Sequence, residues 1–194
     1  MNKMDVLAKA NNSLKQWEEK QNRKSVAITI NGLSLPTRSP MTALDSTPVA
    51  VCLLEELKPF SQQVFQVHQR QVLLVRRGKV LHALDAICYH MGGPLQTGKI
   101  VDIEDIDEQR VHCREAIVCP WHSYRITLDT GEGWYRAGSG HWKSKGFRQR
   151  VHHVRVVKSE TDNEKHVVWV TLSSGKFLPS DEYCNRKDIS DPLS

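Results

Sequence analysis

This chain has little that would take it into a membrane, along a secretory route or onto a nucleic acid. No stretch reaches the roughly 18 to 20 apolar residues that a membrane-spanning helix needs, so none is expected. Met1-Asn2-Lys3-Met4-Asp5 shows no charged and apolar signal-peptide pattern. A mitochondrial presequence is Arg-rich and acid-poor, whereas residues 1–24 hold Arg23 alone beside Glu18 and Glu19. Aromatic residues make up 7% of the chain, and no basic stripe interleaves them for stacking on bases. No G-x-G-x-x-G offers a dinucleotide cradle, and no internal repeat is visible. Hydrophobic residues reach 39% of 194, enough for one modest core with extensions. The five cysteines are odd in number and unevenly spaced, which argues against a disulfide framework and for a reducing, cytoplasmic setting with mitochondrial import left open. The net charge of +5 is concentrated in residues 1–46, where seven Lys and Arg face four Asp and Glu, and it reads as solubility.

Against that plain background stand two short segments, Cys88-Tyr89-His90 and Cys119-Pro120-Trp121-His122. Each sets one thiol and one imidazole at close spacing. Together they offer the donor set of a Rieske-type 2Fe–2S cluster, two Cys on one iron and two His on the other. Thiolates are soft ligands that stabilise ferric iron. Exchanging two of them for neutral imidazoles removes negative charge and raises the reduction potential, to about −150 to +300 mV across such centres. On a straight strand, residues two apart point to one face, so the backbone must curl for a local pair to reach two irons. Gly92, Gly93, Pro94 and Pro120 supply such loops. The competing reading is a structural zinc site, because zinc also accepts two Cys and two His. Zinc fingers, however, usually pair like ligands locally, and both pairs here are mixed. Cys113 could be a spare ligand, but a core thiol on the strand entering the second segment is the expectation.

The stretches Cys88-Tyr89-His90-Met91-Gly92-Gly93-Pro94-Leu95 and Cys119-Pro120-Trp121-His122 resemble the two cluster boxes of Rieske domains. Leu128-Asp129-Thr130-Gly131-Glu132 resembles the strand and turn that follow box two. Lys145-Gly146-Phe147-Arg148-Gln149-Arg150-Val151-His152 is similar to the stand-alone Rieske domain-containing proteins of animals. The resemblance covers about residues 47–178. It implies Cys88 and Cys119 on a buried ferric iron, with His90 and His122 on an outer, solvent-reaching iron that changes valence. Departures sharpen it. Respiratory Rieske proteins brace the cluster loops with a disulfide, and the corresponding positions here look like Gly93 and Trp121. Ser123 stands where Gly is usual, and Tyr124 where Ser or Trp is common. Fewer hydrogen bonds to sulfur and no brace favour the low end of the potential range. Trp121 is expected to cover the cluster from water.

The expected fold is all-β, a Rieske-type arrangement of antiparallel sheets, from short strands and frequent turns. Strands are expected at Val49–Leu53, Val64–His68, Gln71–Val75, Val80–Leu84, Phe147–Val157 and His166–Leu172, with a strand leaving box two through Tyr124, Ile126 and Leu128. Trp134 to Gly146 reads as loop and Ser173 to Ser194 as a polar tail. Residues 1–46 form an N-terminal extension, with a polar helix or disordered arm over 1–24, a short strand at Val26–Ile30 and a proline-rich linker from Leu35. The resemblance implies a Rieske domain over 47–178, with a cluster-binding subdomain inserted at about 86–133, and a C-terminal tail over 179–194. Five acids between Asp102 and Glu108 suggest a solvated hairpin tip.

The reading that follows is a soluble, ferredoxin-like carrier of single electrons between a reductase and a terminal oxidase or oxygenase, or a component of such an oxidoreductase system. A complete oxygenase would need a mononuclear iron with two His and a carboxylate, in a long segment of which nothing is seen after residue 178. No substrate turnover by this chain alone is expected. The alternative is a zinc-stabilised Cys₂His₂ interaction module without redox activity. One substitution separates them: His90→Cys should keep a coloured cluster and lower its potential, because a thiolate adds negative charge. An unchanged potential in a redox titration would count against His90 as a ligand.

Overall fold

The computed structural model describes residues 47–184 apart from 107–110, 139, 141, 161 and 163, together with residues 4, 5, 7, 8 and 11. Two antiparallel sheets make up the fold. The first orders its strands β1 (Val49–Leu53), β11 (His166–Thr171), β10 (Val151–Lys158), β4 (Val80–Asp85), β3 (Arg70–Arg77) and β2 (Ser61–Val67). The second runs β5 (Lys99–Ile106), β6 (Val111–Val118), β7 (Arg125–Thr127), β8 (Glu132–Arg136) and β9 (Trp142–Phe147).

Strand β3 explains why one sheet serves two cores. Its Val72-Leu73-Leu74-Val75 run is buried at every position. Alternation sends Leu73 and Val75 to one face and Val72 and Leu74 to the other. Leu73 and Val75 join Leu84, Leu95, Ile117, Ile126 and Leu128 in a core that also takes in Cys88 and Cys119. Val72 and Leu74 join Cys52, Val67, Val168 and Val170 in a second core. Each fully buried aliphatic side chain contributes about 1.5–3 kcal/mol. An exposed pair such as Lys165–Asp162 is screened by solvent, so the two faces of β3 outweigh the surface pairs. Arg77 on β3 reaches across to Glu115 on β6 at 2.7 Å, tying the sheets together.

Three expectations need correction. Trp134 to Gly146 is mostly strand: β8 and β9 form a hairpin whose register sets Arg136 opposite Trp142. Trp and Tyr suit a pleated surface, and Gly138 and Gly140 mark its turn rather than a long loop. Strand β10 starts at Val151 rather than Phe147, because the Arg148 and Gln149 N–H groups bond to Gly131 O and the Arg150 N–H to Ser180 Oγ instead. Residues 173–184 are packed rather than trailing. Pro179–Glu182 form a 3-10 turn whose Ser180 is fully buried. Near the N-terminus, residues 4, 5, 7, 8 and 11 are helical. Leu7 packs on Ala50, Leu53 and Val167, and the Asn11 amide oxygen accepts the Ala50 N–H. Val26–Ile30, most of the Leu35–Pro48 linker and the tip of the acidic hairpin lie outside the described residues.

A buried charge cluster fastens the 3-10 turn to the first sheet. Asp85 is fully buried and takes bonds from Arg70 at 2.8 Å and 2.9 Å and from the Ser180 hydroxyl at 2.6 Å. His152 Nδ1 accepts the Ser173 N–H, so its proton sits on Nε2, which donates to Asp85 at 3.1 Å. Asp181 pairs with Arg70 and Arg150. Burial pushes the Asp181 carboxyl up, but hydrogen bonds from Arg150, the Leu178 N–H and Arg70 outweigh it and hold it at about 2. An unfolded Asp titrates near about 3.9. The folded value is depressed, so this contribution to stability is complete above the unfolded value and is lost as pH falls through about 2. Urea midpoints measured between about pH 4 and about pH 2 should fall less steeply in Asp181→Asn than in the parent. Equal steepness would count against the pairing.

Candidate metal centre

The four residues picked out by spacing are carried by two matching turns. In the first, the Cys88 N–H donates to Gly93 O at 2.8 Å and the Gly92 N–H to Cys88 O at 3.1 Å. In the second, the Cys119 N–H donates to Tyr124 O at 2.8 Å and the Ser123 N–H to Cys119 O at 3.0 Å. Each turn thus closes four and five residues beyond its cysteine. Each also places a non-glycine residue in the left-handed region directly after its histidine, Met91 at φ 63° and Ser123 at φ 57°. That conformation costs a side-chain-bearing residue energy, and the paired turn bonds hold it in place.

The turns bring like with like. Cys88 and Cys119 are fully buried and their side chains share a hydrogen bond. His90 and His122 lie edge to face with ring centroids 4.8 Å apart, His90 half-buried and His122 exposed. Hydrogen bonding from Cys88 favours the Cys119 thiolate, and despite burial the backbone N–H groups of Trp121 and His122 help hold its pKa below the usual thiol range. The Cys88 thiol is pushed well up, first by that shared hydrogen bond and then by burial. The His90 N–H points at Cys88 Sγ, 3.4 Å away. Burial lowers the His90 pKa, followed by the nearby His122 and Lys145 charges.

Three observations test whether a two-iron cluster fits. The donors are two soft sulfurs and two imidazoles, already sorted into pairs. His90 Nδ1 is buried without a hydrogen-bond partner, as a nitrogen reserved for metal would be. Space has been kept open beside the sulfurs: a Cβ on Gly93 would lie 2.7 Å from Cys119 Sγ and 3.3 Å from the Trp121 ring. The residues fit the group.

The family model described as "Soluble Rieske-type ferredoxin" matches residues 49–175. The chain belongs to the soluble Rieske-type ferredoxins. This family carries a 2Fe–2S cluster as its cofactor, and its all-β fold is the one observed. A human Rieske domain-containing protein is 41% identical over 130 residues, which are 63% of this chain and 73% of that protein. The ferredoxin component of an alkene monooxygenase system from Xanthobacter autotrophicus is 29% identical over 85 residues, covering 44% of this chain and 61% of that one. Human apoptosis-inducing factor 3 matches at 30% over 100 residues, 52% of this chain but 14% of that protein. Among solved structures, the ferredoxin of carbazole 1,9a-dioxygenase from Nocardioides aromaticivorans aligns with a TM-score of 0.41 and 25% identity, covering 66% of this chain and all of that one.

Around the Rieske-type centre, several side chains differ from expectation. Trp121 is 55% exposed; it leans on Gly93, and much of its ring remains in solvent. The Tyr124 ring meets His90 at 4.4 Å, and its hydroxyl takes a bond from Lys145 at 3.0 Å. Cys113 is exposed on β6 rather than a core thiol, while Cys52 and Cys184 are buried. Spacing gave no hint of Tyr89, Gly133 or Gln149. Tyr89 is buried between Cys88 and His90 in the chain, and a Cβ on Gly133 would approach its hydroxyl to 2.5 Å. Gly93→Ala should lower the iron content of purified protein, since the added methyl must displace a sulfur or the Trp121 ring. Unchanged iron content and visible spectrum would show that the sulfurs can move aside.

Proposed function

We propose that Cys88 and Cys119 hold the inner iron and His90 and His122 the outer iron of the 2Fe–2S cluster, and that the chain carries single electrons between a reductase and a terminal oxidase or oxygenase. The carrying observation is the segregation of donors, a buried thiol pair and, beyond it, an imidazole pair toward solvent. A zinc ion needs four donors aimed at one point. Here the thiols lie buried and the imidazoles lie toward solvent, the division a two-iron cluster with mixed ligands asks for. When bound, the cluster supplies one-electron chemistry at a potential set by its mixed ligands.

The protein's own residues do the rest. The core around Leu95, Ile117 and Ile126 keeps water from the sulfurs. The Tyr124 ring fixes the plane of His90, and Lys145 anchors Tyr124. Exposed Met91 and Trp121 flank the imidazoles, so a partner can come close to them. Oxygenase-linked relatives such as the alkene monooxygenase ferredoxin component support a partner of that class. We further propose a reducing, intracellular compartment. None of the five cysteines is in a disulfide, and no helix among the described residues is long and apolar enough to cross a membrane.

Metal analysis with the reduced-state paramagnetic spectrum tests the assignment. Iron and acid-labile sulfide in equal amounts with a Rieske signal are expected, and the signal should vanish in Cys88→Ser and Cys119→Ser. Colourless protein holding zinc would overturn it.

A further inference from the structure

We propose that Gln149 is the positioning residue of the first ligand turn, its side-chain amide acting as the strand partner which that segment otherwise lacks. The inference rests on Cys88 and His90 holding the cluster.

Strand β10 pairs with β4 at Val151 with Leu84 and at His152 with Ala83. One further backbone bond follows, from the Asp85 N–H to Arg150 O at 3.0 Å. There the ladder ends, yet the segment toward Cys88 stays buried through Tyr89. Its other side is served by backbone: the Ala86 N–H donates to Gln71 O at 3.0 Å, the Leu95 N–H to Ala86 O at 2.9 Å, and Cys88 to its own turn. The Gln149 side takes over where the ladder stops. Nε2 donates to Asp85 O at 2.9 Å and Ile87 O at 2.8 Å, and Oε1 accepts the Tyr89 N–H at 2.9 Å. One planar amide thus meets residues 85, 87 and 89, the alternation a neighbouring strand would meet. All three bonds fall on the stretch that carries Cys88 and leads into His90.

The amide is itself held in place. Gln149 and Arg148 both donate backbone N–H groups to Gly131 O at 3.0 Å. A Cβ on Gly131 would lie 1.9 Å from Gln149 O, so only glycine, here at φ 71°, allows that approach. On the far side the Arg150 N–H donates to Ser180 Oγ and the Ser180 N–H to Arg148 O. Gln149 is fully buried and cannot exchange these partners for water. Its effect on the cluster would be indirect. The Tyr89 N–H is committed to an amide oxygen, so the peptide between the two ligands has a fixed direction, and the next N–H, that of His90, faces Cys88 Sγ. Hydrogen bonds to ligand sulfur are one of the terms that set the potential.

The test uses the loaded protein with two substitutions. Gln149→Leu removes all three bonds. Gln149→Glu keeps an acceptor for the Tyr89 N–H but no donor for the two carbonyls. Val168→Ala, in the second core, serves as a control for destabilisation away from the turns. Both Gln149 variants should move the g-values and the potential, and lose iron about 10–100-fold faster. Val168→Ala should lower the melting temperature without moving spectrum or potential. Gln149 variants that merely melt earlier, with spectrum, potential and iron loss as in the parent, would overturn the proposal. If neither variant folds, residue-resolved deuterium exchange on the parent decides: the Tyr89 amide, the one N–H that Gln149 accepts, as protected as β4 supports it, and exchange as fast as in an exposed loop overturns it. A parent with no Rieske spectrum would instead defeat the ligand assignment.

Discussion

Asp85 is a carboxylate without access to water, and much of the molecule is arranged to satisfy it. A buried charge is tolerated only with a partner and hydrogen bonds on its remaining lone pairs. Arg70 supplies the charge, and Ser180 and His152 the further bonds. Those partners come from β3, the 3-10 turn and β10. Satisfying one side chain therefore fixes three distant pieces of chain around the last residue of β4. Removing Arg70 would leave the Asp85 carboxylate buried without its cation, at about 3–5 kcal/mol for such a pair. Asp85 is also three residues before Cys88, so the point of greatest electrostatic constraint sits at the root of the turn that carries Cys88 and His90.

The second turn is anchored differently. Cys119 follows β6, which is paired along its length with β5 and, near its end, with β7. Its geometry comes from ordinary sheet ladder, with Ile117 and Ile126 packed beneath. One turn thus depends on a polar cluster and the other on a sheet, although their internal bonds match. The space between the turns is kept by small residues and a half-exposed ring, Gly93 against Trp121.

What could be read from the sequence follows from range. Cys88 with His90 and Cys119 with His122 are neighbours in the chain, and their chemistry shows in the spacing. Strands β2, β3, β4, β10 and β11 show as apolar alternation or runs. Strands β8 and β9 did not, because Trp, Arg, Lys and Gly there give no clean period. The packed turn after residue 178 was hidden by its polarity: Ser180 and Asp181 look solvent-bound until Arg70 and Arg150 arrive from far along the chain. Gln149 was hidden for the same reason. Its partners are backbone atoms 60 to 64 residues away, and backbone atoms leave no mark on side-chain pattern.

Each sheet has two edge strands, β1 and β2 in the first and β5 and β9 in the second, and an unpaired sheet edge is a template for association with another chain. Strands β1 and β9 are blunted. The Ala50 N–H on β1 is capped by the Asn11 side chain. Strand β9 carries Lys143 and Lys145, and Gly146, one residue before its end, has a φ of 73° that bends the backbone out of line. A second copy of the chain would have to bury those ammonium groups to extend the second sheet through β9. Self-association is thereby discouraged on the side of the molecule where Lys145 stands beside the imidazoles, and that face stays available for brief encounters.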